Sequence, residues 1–151
     1  MNNKRPNPEV SELRYRRLFE TAQDGILIID AESGKITDAN PFLFEMLGYD
    51  TDAIIGKKLW EIGLFHHIVS NRKAFEVLQA KSGIRHEDVY LETKSGQIRQ
   101  AEFTSNTYYV GEDKILQCNI RDITERKLAE EELRKTEERY REFYQKSPIG
   151  Y

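Results

Sequence analysis

At 151 residues, 38% hydrophobic and 32% charged, the chain has the size of one domain with an appendage, since domains commonly run to about 100–150 residues. A formal net charge of -3 leaves no basic footprint for nucleic acid. The longest apolar run, Ile26-Leu27-Ile28-Ile29, is far shorter than the roughly 20 residues that span a bilayer, and Met1–Pro8 lacks the apolar core of a signal peptide. The single cysteine, Cys118, cannot form an internal disulfide, and a cytoplasmic domain without membrane contact is the expectation.

Residues 1–8 carry Pro6 and Pro8 among polar residues and are expected to be a disordered lead-in. A helix is predicted over 9–23, where Val10, Leu13, Tyr15, Leu18, Phe19 and Ala22 form a broad apolar stripe that Asp24-Gly25 ends. Ile26 to Asp30 reads as a strand apolar on both faces. Glu32-Ser33-Gly34-Lys35 turns the chain into a second strand over 35–38. Asn40-Pro41 then opens a short helix as N-cap and first helical residue, with Phe42, Leu43, Met46 and Leu47 apolar and Gly48 as its stop. Short turns broken by Gly56 follow, through Leu59-Trp60-Glu61-Ile62. A longer helix is predicted from His67 to Lys81, with Ile68, Ala74, Phe75, Val77 and Leu78 inward.

Three strands are predicted to close the core, over 84–93, 97–110 and 114–121. Their connectors, Lys94-Ser95-Gly96 and Gly111-Glu112-Asp113, are short enough for antiparallel neighbours. In the second of these strands Ala101, Phe103, Ser105, Thr107 and Tyr109 share one face, apolar mixed with small polar. In the third, Leu116, Cys118 and Ile120 alternate with Gln117, Asn119 and Arg121. At Asp122-Ile123-Thr124 the period changes from two to the alternating three and four of a coiled-coil seam at Ala129, Leu133, Thr136, Tyr140 and Phe143. Asp122 and Thr124 have side-chain oxygens able to cap the new helix, and Glu125 suits its first turn. The strand therefore feeds the helix almost without a loop, so a shift in one should be felt by the other. Glu130–Arg134, Glu131–Lys135 and Glu137–Arg141 supply i,i+4 pairs along that helix.

The chain also repeats itself. Arg14-Tyr15-Arg16-Arg17-Leu18-Phe19 and the following residues to Ile26 align with Arg139-Tyr140-Arg141-Glu142-Phe143-Tyr144 and the residues to Tyr151 at an offset of 125 residues, Tyr15 falling on Tyr140 and Gly25 on Gly150. Repetition of this kind marks one full module followed by the opening of another. The domain plan is then a core over 24–121, a signalling linker helix over 122–138 and the start of a second repeat over 139–151.

The order of two strands, short helices, a longer helix, three antiparallel strands and an exit helix resembles a PAS domain. Asp24-Gly25-Ile26 with Asp30, Asn40-Pro41-Phe42, Leu47-Gly48-Tyr49, Ile55-Gly56-Lys57, Lys94-Ser95-Gly96 and Arg121-Asp122-Ile123-Thr124-Glu125-Arg126-Lys127 carry that resemblance. It implies an α+β fold: a five-stranded antiparallel sheet with short helices on one face, an N-terminal helix and a C-terminal coiled-coil helix. It further implies a non-catalytic sensor or dimerising module in a multidomain signalling protein of the sensor histidine kinase class. The second reading is a ligand-free spacer of a diguanylate cyclase or transcription regulator. A homodimer, a downstream PAS or kinase domain in the same chain and a small-molecule ligand are the implied partners.

Specialised cofactor motifs are not matched. Light-sensing flavin members carry Asn-Cys-Arg-Phe where this chain has Lys57-Lys58-Leu59-Trp60, and a glutamine where it has Ile120, which argues against a photoactive flavin. Haem members use a His on the longer helix. The corresponding place falls near Asn71-Arg72, with His66 and His67 before it, so haem is not expected; His86 reads as a sheet or surface residue. There is no phosphate loop, metal spacing or phosphoacceptor His box, and no catalytic residue is assigned. The aromatics can line a cavity or fill an ordinary core. For a cavity the candidates are Phe42, Met46, Trp60, Phe75, Leu78, Leu91, Phe103, Ser105 and Cys118, a set that favours a small apolar or aromatic molecule.

Overall fold

The structure, a computed structural model, describes residues 8–65 and 68–146. The lead-in over 1–7, His66 and His67, and the last residues of the second repeat, 147–151, lie outside the described residues. The element order is α1 (Pro8–Thr21), β1 (Gly25–Asp30), β2 (Ile36–Ala39), α2 (Pro41–Leu47), α3 (Thr51–Ile54), two 3-10 turns (Leu59–Glu61 and Gly63–Phe65), α4 (Arg72–Ala80), β3 (Ile84–Glu92), β4 (Ile98–Val110), β5 (Asp113–Asp122) and α5 (Thr124–Lys146). The strands form one antiparallel sheet in the order β2-β1-β5-β4-β3. The last strand, the one that leads into α5, therefore sits at the centre of the sheet.

Period-two alternation decides the sheet's two faces. Leu27 and Ile29 of β1, Leu116, Cys118 and Ile120 of β5, Ala101, Phe103 and Ser105 of β4, and Val89 and Leu91 of β3 are all buried. They meet Leu43 and Leu47 of α2, Ile54, Leu59, Phe65, Phe75 and Leu78 in one core. Full burial of each such large side chain contributes about 1.5–3 kcal/mol, so this face is where the fold's stability resides.

Asn40 is the joint that fixes the helical layer to the sheet. Its carboxamide is fully buried and uses both ends. Oδ1 accepts from the Ile26 amide at 2.9 Å and from the Leu43 amide at 3.3 Å. Nδ2 donates to the carbonyls of Phe19 at 3.0 Å and Asp24 at 2.9 Å. One residue thus caps α2 and ties down the end of α1 and the start of β1. On the opposite face of the sheet, Tyr15 of α1 reaches Tyr108. Burial first, and then Tyr15 beside it, push the Tyr108 phenol above its ordinary pKa.

Three expectations are corrected. The longer helix starts at Arg72, not His67, because the Asn71 side chain accepts the Ala74 amide at 2.8 Å and caps it there. Val77, expected inward, is 58% exposed: with Phe75 and Leu78 facing the core, one helical step of 100° turns it outward. Tyr109 is 68% exposed at the far end of β4, beyond the part of the strand that the helices cover.

Candidate functional site

The site is built where β5 becomes α5. In the β4–β5 ladder Ala101 pairs with Asp122. Arg99, two residues along on the same face as Ala101, is thereby a diagonal neighbour of Asp122. Its Nε and Nη2 each lie 2.7 Å from Asp122 Oδ2, with the two side chains only 29% and 16% exposed. Asp122 Oδ1 accepts from the Thr124 amide at 2.9 Å and from the Thr124 hydroxyl at 2.6 Å. The Thr124 Oγ1 in turn accepts the Gln100 amide at 2.9 Å, while the Ile123 amide donates to the Gln100 carbonyl at 2.8 Å. Ile123 itself is 2% exposed. The first bond of α5, from the Lys127 amide to the Ile123 carbonyl, starts from this pinned residue.

Asp122, Ile123 and Thr124 are therefore clamped to Arg99 and Gln100 of β4. Asp122 receives the amide of the first helical residue, and Thr124 spends its oxygen on Gln100, so neither is the simple cap that spacing alone predicts. The charged form of Asp122 is the one the clamp holds. Burial raises its pKa, but the Thr124 hydroxyl and amide and the Arg99 guanidinium outweigh that and hold the carboxyl below its usual range. A second tie at the same end of the sheet joins β5 to the loop after α1, where the Arg121 guanidinium meets both oxygens of Asp24 at 3.2 Å. The Asp122 carboxylate and the Thr124 hydroxyl are both spent on partners within the clamp. Its chemistry is mechanical, a strand and a helix joined by short, charge-assisted bonds.

The pocket candidates divide. Phe75, Leu78, Leu91, Phe103, Ser105 and Cys118 are buried in the core, and Met46 and Trp60 pack against it half-buried. Phe42 is corrected: it is half-buried on α2 but not among the residues packed on the core, because Leu43 and Leu47, four apart, take the inward face and Phe42 is turned away from it. Ser105 and Cys118 are cross-strand partners. The Ser105 Oγ is wholly buried without a hydrogen-bond partner, and burial drives the Cys118 thiol far above its ordinary range, so it stays neutral. Trp60 is tilted by 53° against Phe75 with ring centroids 5.3 Å apart, and Gly34 lies against its ring. These two aromatics reach a cleft of about 400 Å³ that Arg72 and Lys114 also line. Among the described residues no group of three or more His, Cys, Asp or Glu could hold a metal ion.

Along α5, Ala129, Leu133, Thr136 and Tyr140 are all exposed, Leu133 at 60% and Tyr140 at 62%. Arg99, Gln100 and Asn40 were the contributors that reading the sequence did not single out for the junction and the joint. Asn40 was legible as a cap. Arg99 and Gln100 become partners only through strand register, which no local pattern reveals.

Comparison with known proteins agrees with this geometry. Residues 13–83 match the family model described as PAS domain. A solved structure of a PAS domain of an HTR-like protein from Haloarcula marismortui superposes with a TM-score of 0.61, covering 76% of this chain and 93% of that one at 23% identity. The chain has the fold of a PAS domain. Two curated proteins are similar to this chain over most of its length. Sporulation kinase E of Bacillus subtilis (strain 168) is 29% identical over 93% of this chain and 18% of its own length. Diguanylate cyclase DgcM of Escherichia coli (strain K12) is 28% identical over 79% of this chain and 29% of its own length. The chain thus spans less than a third of either relative. No helix among the described residues is long and apolar enough to cross a membrane.

Proposed function

We propose that this PAS domain is a cytoplasmic sensory and transmission module that passes a conformational bias from its sheet, through α5, to an output domain further along the same protein. The clamp between Arg99–Gln100 and Asp122–Thr124 carries the reading, because it makes the position of β4 and the start of α5 a single mechanical unit. The bias originates at the inner face of the sheet. The buried, unpartnered Ser105 hydroxyl beside Cys118 supports a small, largely apolar ligand with one hydrogen-bonding group, since an unsatisfied buried hydroxyl costs about 1–3 kcal/mol that such a ligand would recover.

On this reading α5 pairs with a second copy along Ala129, Leu133, Thr136 and Tyr140, a narrow seam whose moderate stability suits a switch. The output is of the sensor histidine kinase class, which the relationship to sporulation kinase E supports. The relationship to diguanylate cyclase DgcM supports the second reading, in which the domain dimerises and spaces a cyclase without a ligand. Native mass spectrometry of the purified chain, with an absorption spectrum from the same sample, separates the two. A dimer with a bound small molecule supports the sensor, an empty dimer supports the spacer, and an empty monomer contradicts both.

A further inference from the structure

Charge and aromatic surface meet in the cleft of about 400 Å³ beside Trp60 and Phe75. Phe75 is 2% exposed and Trp60 is half-buried, so the floor is aromatic and tied to the core. Gly34, at a φ of +78°, lies against the Trp60 ring, and the Lys58 ammonium stands 5.4 Å from the ring centroid. The β1–β2 turn therefore holds the floor in place before anything binds.

Four charged side chains line the walls: Glu32 from the β1–β2 turn, Arg72 and Glu76 from α4, and Lys114 from the start of β5. Arg72 and Glu76 answer each other at 3.5 Å. Glu32 and Lys114 differ, because neither has an ion pair among the described residues. The half-buried Lys114 ammonium meets the neutral carboxamide oxygen of Gln79 at 2.7 Å. One ammonium and one carboxylate, not paired with each other, thus share an aromatic-floored space. Hydrogen bonds between charged groups are roughly twice as strong as neutral ones, so each of the two has an unused partner to gain.

We propose that this cleft binds a free α-amino acid with an apolar or aromatic side chain. Its carboxylate would meet Lys114 Nζ, its ammonium the Glu32 carboxylate, and its side chain the rings of Trp60 and Phe75. A zwitterion answers both protein charges, whereas a simple anion or amine leaves one of them unanswered. The volume also fits, since small-molecule sites span about 300–1,000 Å³. The Ala31 amide donates to the Lys114 carbonyl at 3.0 Å, so the turn that carries Glu32 is bonded to the strand that carries Lys114. That strand runs on to Asp122. This site is distinct from the inner-face ligand position at Ser105, and binding in it depends neither on dimerisation nor on α5.

Trp60, the single tryptophan of the chain, reports occupancy directly. Titration of the purified chain with L-leucine, L-methionine and L-phenylalanine, read by Trp60 fluorescence and by calorimetry, is expected to show saturable binding of at least one at or below about 1 mM. Removing either charge from the amino acid that binds, as 3-phenylpropionate and phenethylamine do for L-phenylalanine, is expected to weaken it at least about tenfold. Lys114→Met and Glu32→Gln are expected to do the same while melting within about 5 °C of the native chain, because neither side chain belongs to the buried core. Absence of saturable binding by all three amino acids overturns the proposal. Binding that both variants leave unchanged also overturns it, by placing the amino acid elsewhere. A deaminated analogue that binds as tightly as its parent overturns it as well, by making the cleft a site for a simple anion.

Discussion

Replacing Asp122 with Ala removes the centre of the clamp. The change deletes both Arg99 contacts at 2.7 Å and the two bonds from Thr124 at 2.9 and 2.6 Å. Hydrogen bonds to a charged group contribute about 1.5–3 kcal/mol, and loss of a helix-start acceptor about 0.5–2. Because the pair is shielded but not fully buried, and freed Arg99 regains water, the net loss is about 2–3 kcal/mol. For a chain of this size that lowers Tm by roughly 4–12 °C and leaves the domain folded. The pH dependence follows from the same bonds. A carboxyl held below its unfolded pKa adds stability that is fully present above about pH 4–5 and is lost as pH falls through the folded value. Native stability should therefore drop on acidification below about pH 4, and Asp122→Ala should flatten that part of the curve. Thermal melts from pH 3 to 7 measure both. A loss under about 0.5 kcal/mol at pH 7, with an unchanged acid limb, would refute the clamp's energetic role.

Four further outcomes follow. Asn40→Ala leaves the Phe19 and Asp24 carbonyls and the Ile26 amide without their partner and should cost about 3 kcal/mol or more in urea unfolding, with Asn40→Asp failing to rescue because it cannot donate. Gly34→Ala places a methyl carbon about where the Trp60 ring lies, 2.3 Å away, at a φ of +78°, so it should destabilise by about 1–3 kcal/mol and shift Trp60 fluorescence. Cys118, buried and neutral, should resist thiol alkylation in the native chain and react on unfolding; fast native labelling would reveal an open path to the inner face. Leu133→Glu should weaken the homodimer at least tenfold by analytical ultracentrifugation, and an unchanged dimer would remove the seam.

Much of the fold was readable because its signals are local. The two-residue period of Leu116, Cys118 and Ile120, the Asn40-Pro41 helix start and the change of period after Asp122 each act within a few residues. What escaped depends on contacts across the chain. The helix expected from His67 begins at Arg72 because Asn71 captures an amide. The charge pairs of α5 also differ. Arg134 bridges Glu131 and Glu138 at 2.6 and 2.5 Å, and Arg126 and Lys127 turn to Glu130, since neighbours three and four apart compete almost equally for one guanidinium. Such exposed pairs add little stability, so choosing the wrong ones changes nothing in the fold. The clamp is different. Asp122 and Thr124 were legible as a junction, but their partners Arg99 and Gln100 follow from the Ala101–Asp122 register, which the whole sheet sets. Phe42 was misplaced for a simpler reason: among the five large apolar residues of α2, Phe42, Leu43, Phe44, Met46 and Leu47, only packing selects Leu43 and Leu47 as the fully buried pair.

The central claim is that the inner face of the sheet and the start of α5 are energetically coupled through Asp122. A double-mutant cycle read by amide hydrogen exchange in α5, over residues 127–133, tests it most directly. Cys118→Ala opens a small cavity on the central strand, four residues and about 13 Å from Asp122. In the native background it should raise exchange in that stretch of α5 severalfold, and in the Asp122→Ala background it should add almost nothing, a coupling of about 1 kcal/mol. Additive effects, within about 0.3–0.5 kcal/mol, would contradict transmission through this junction.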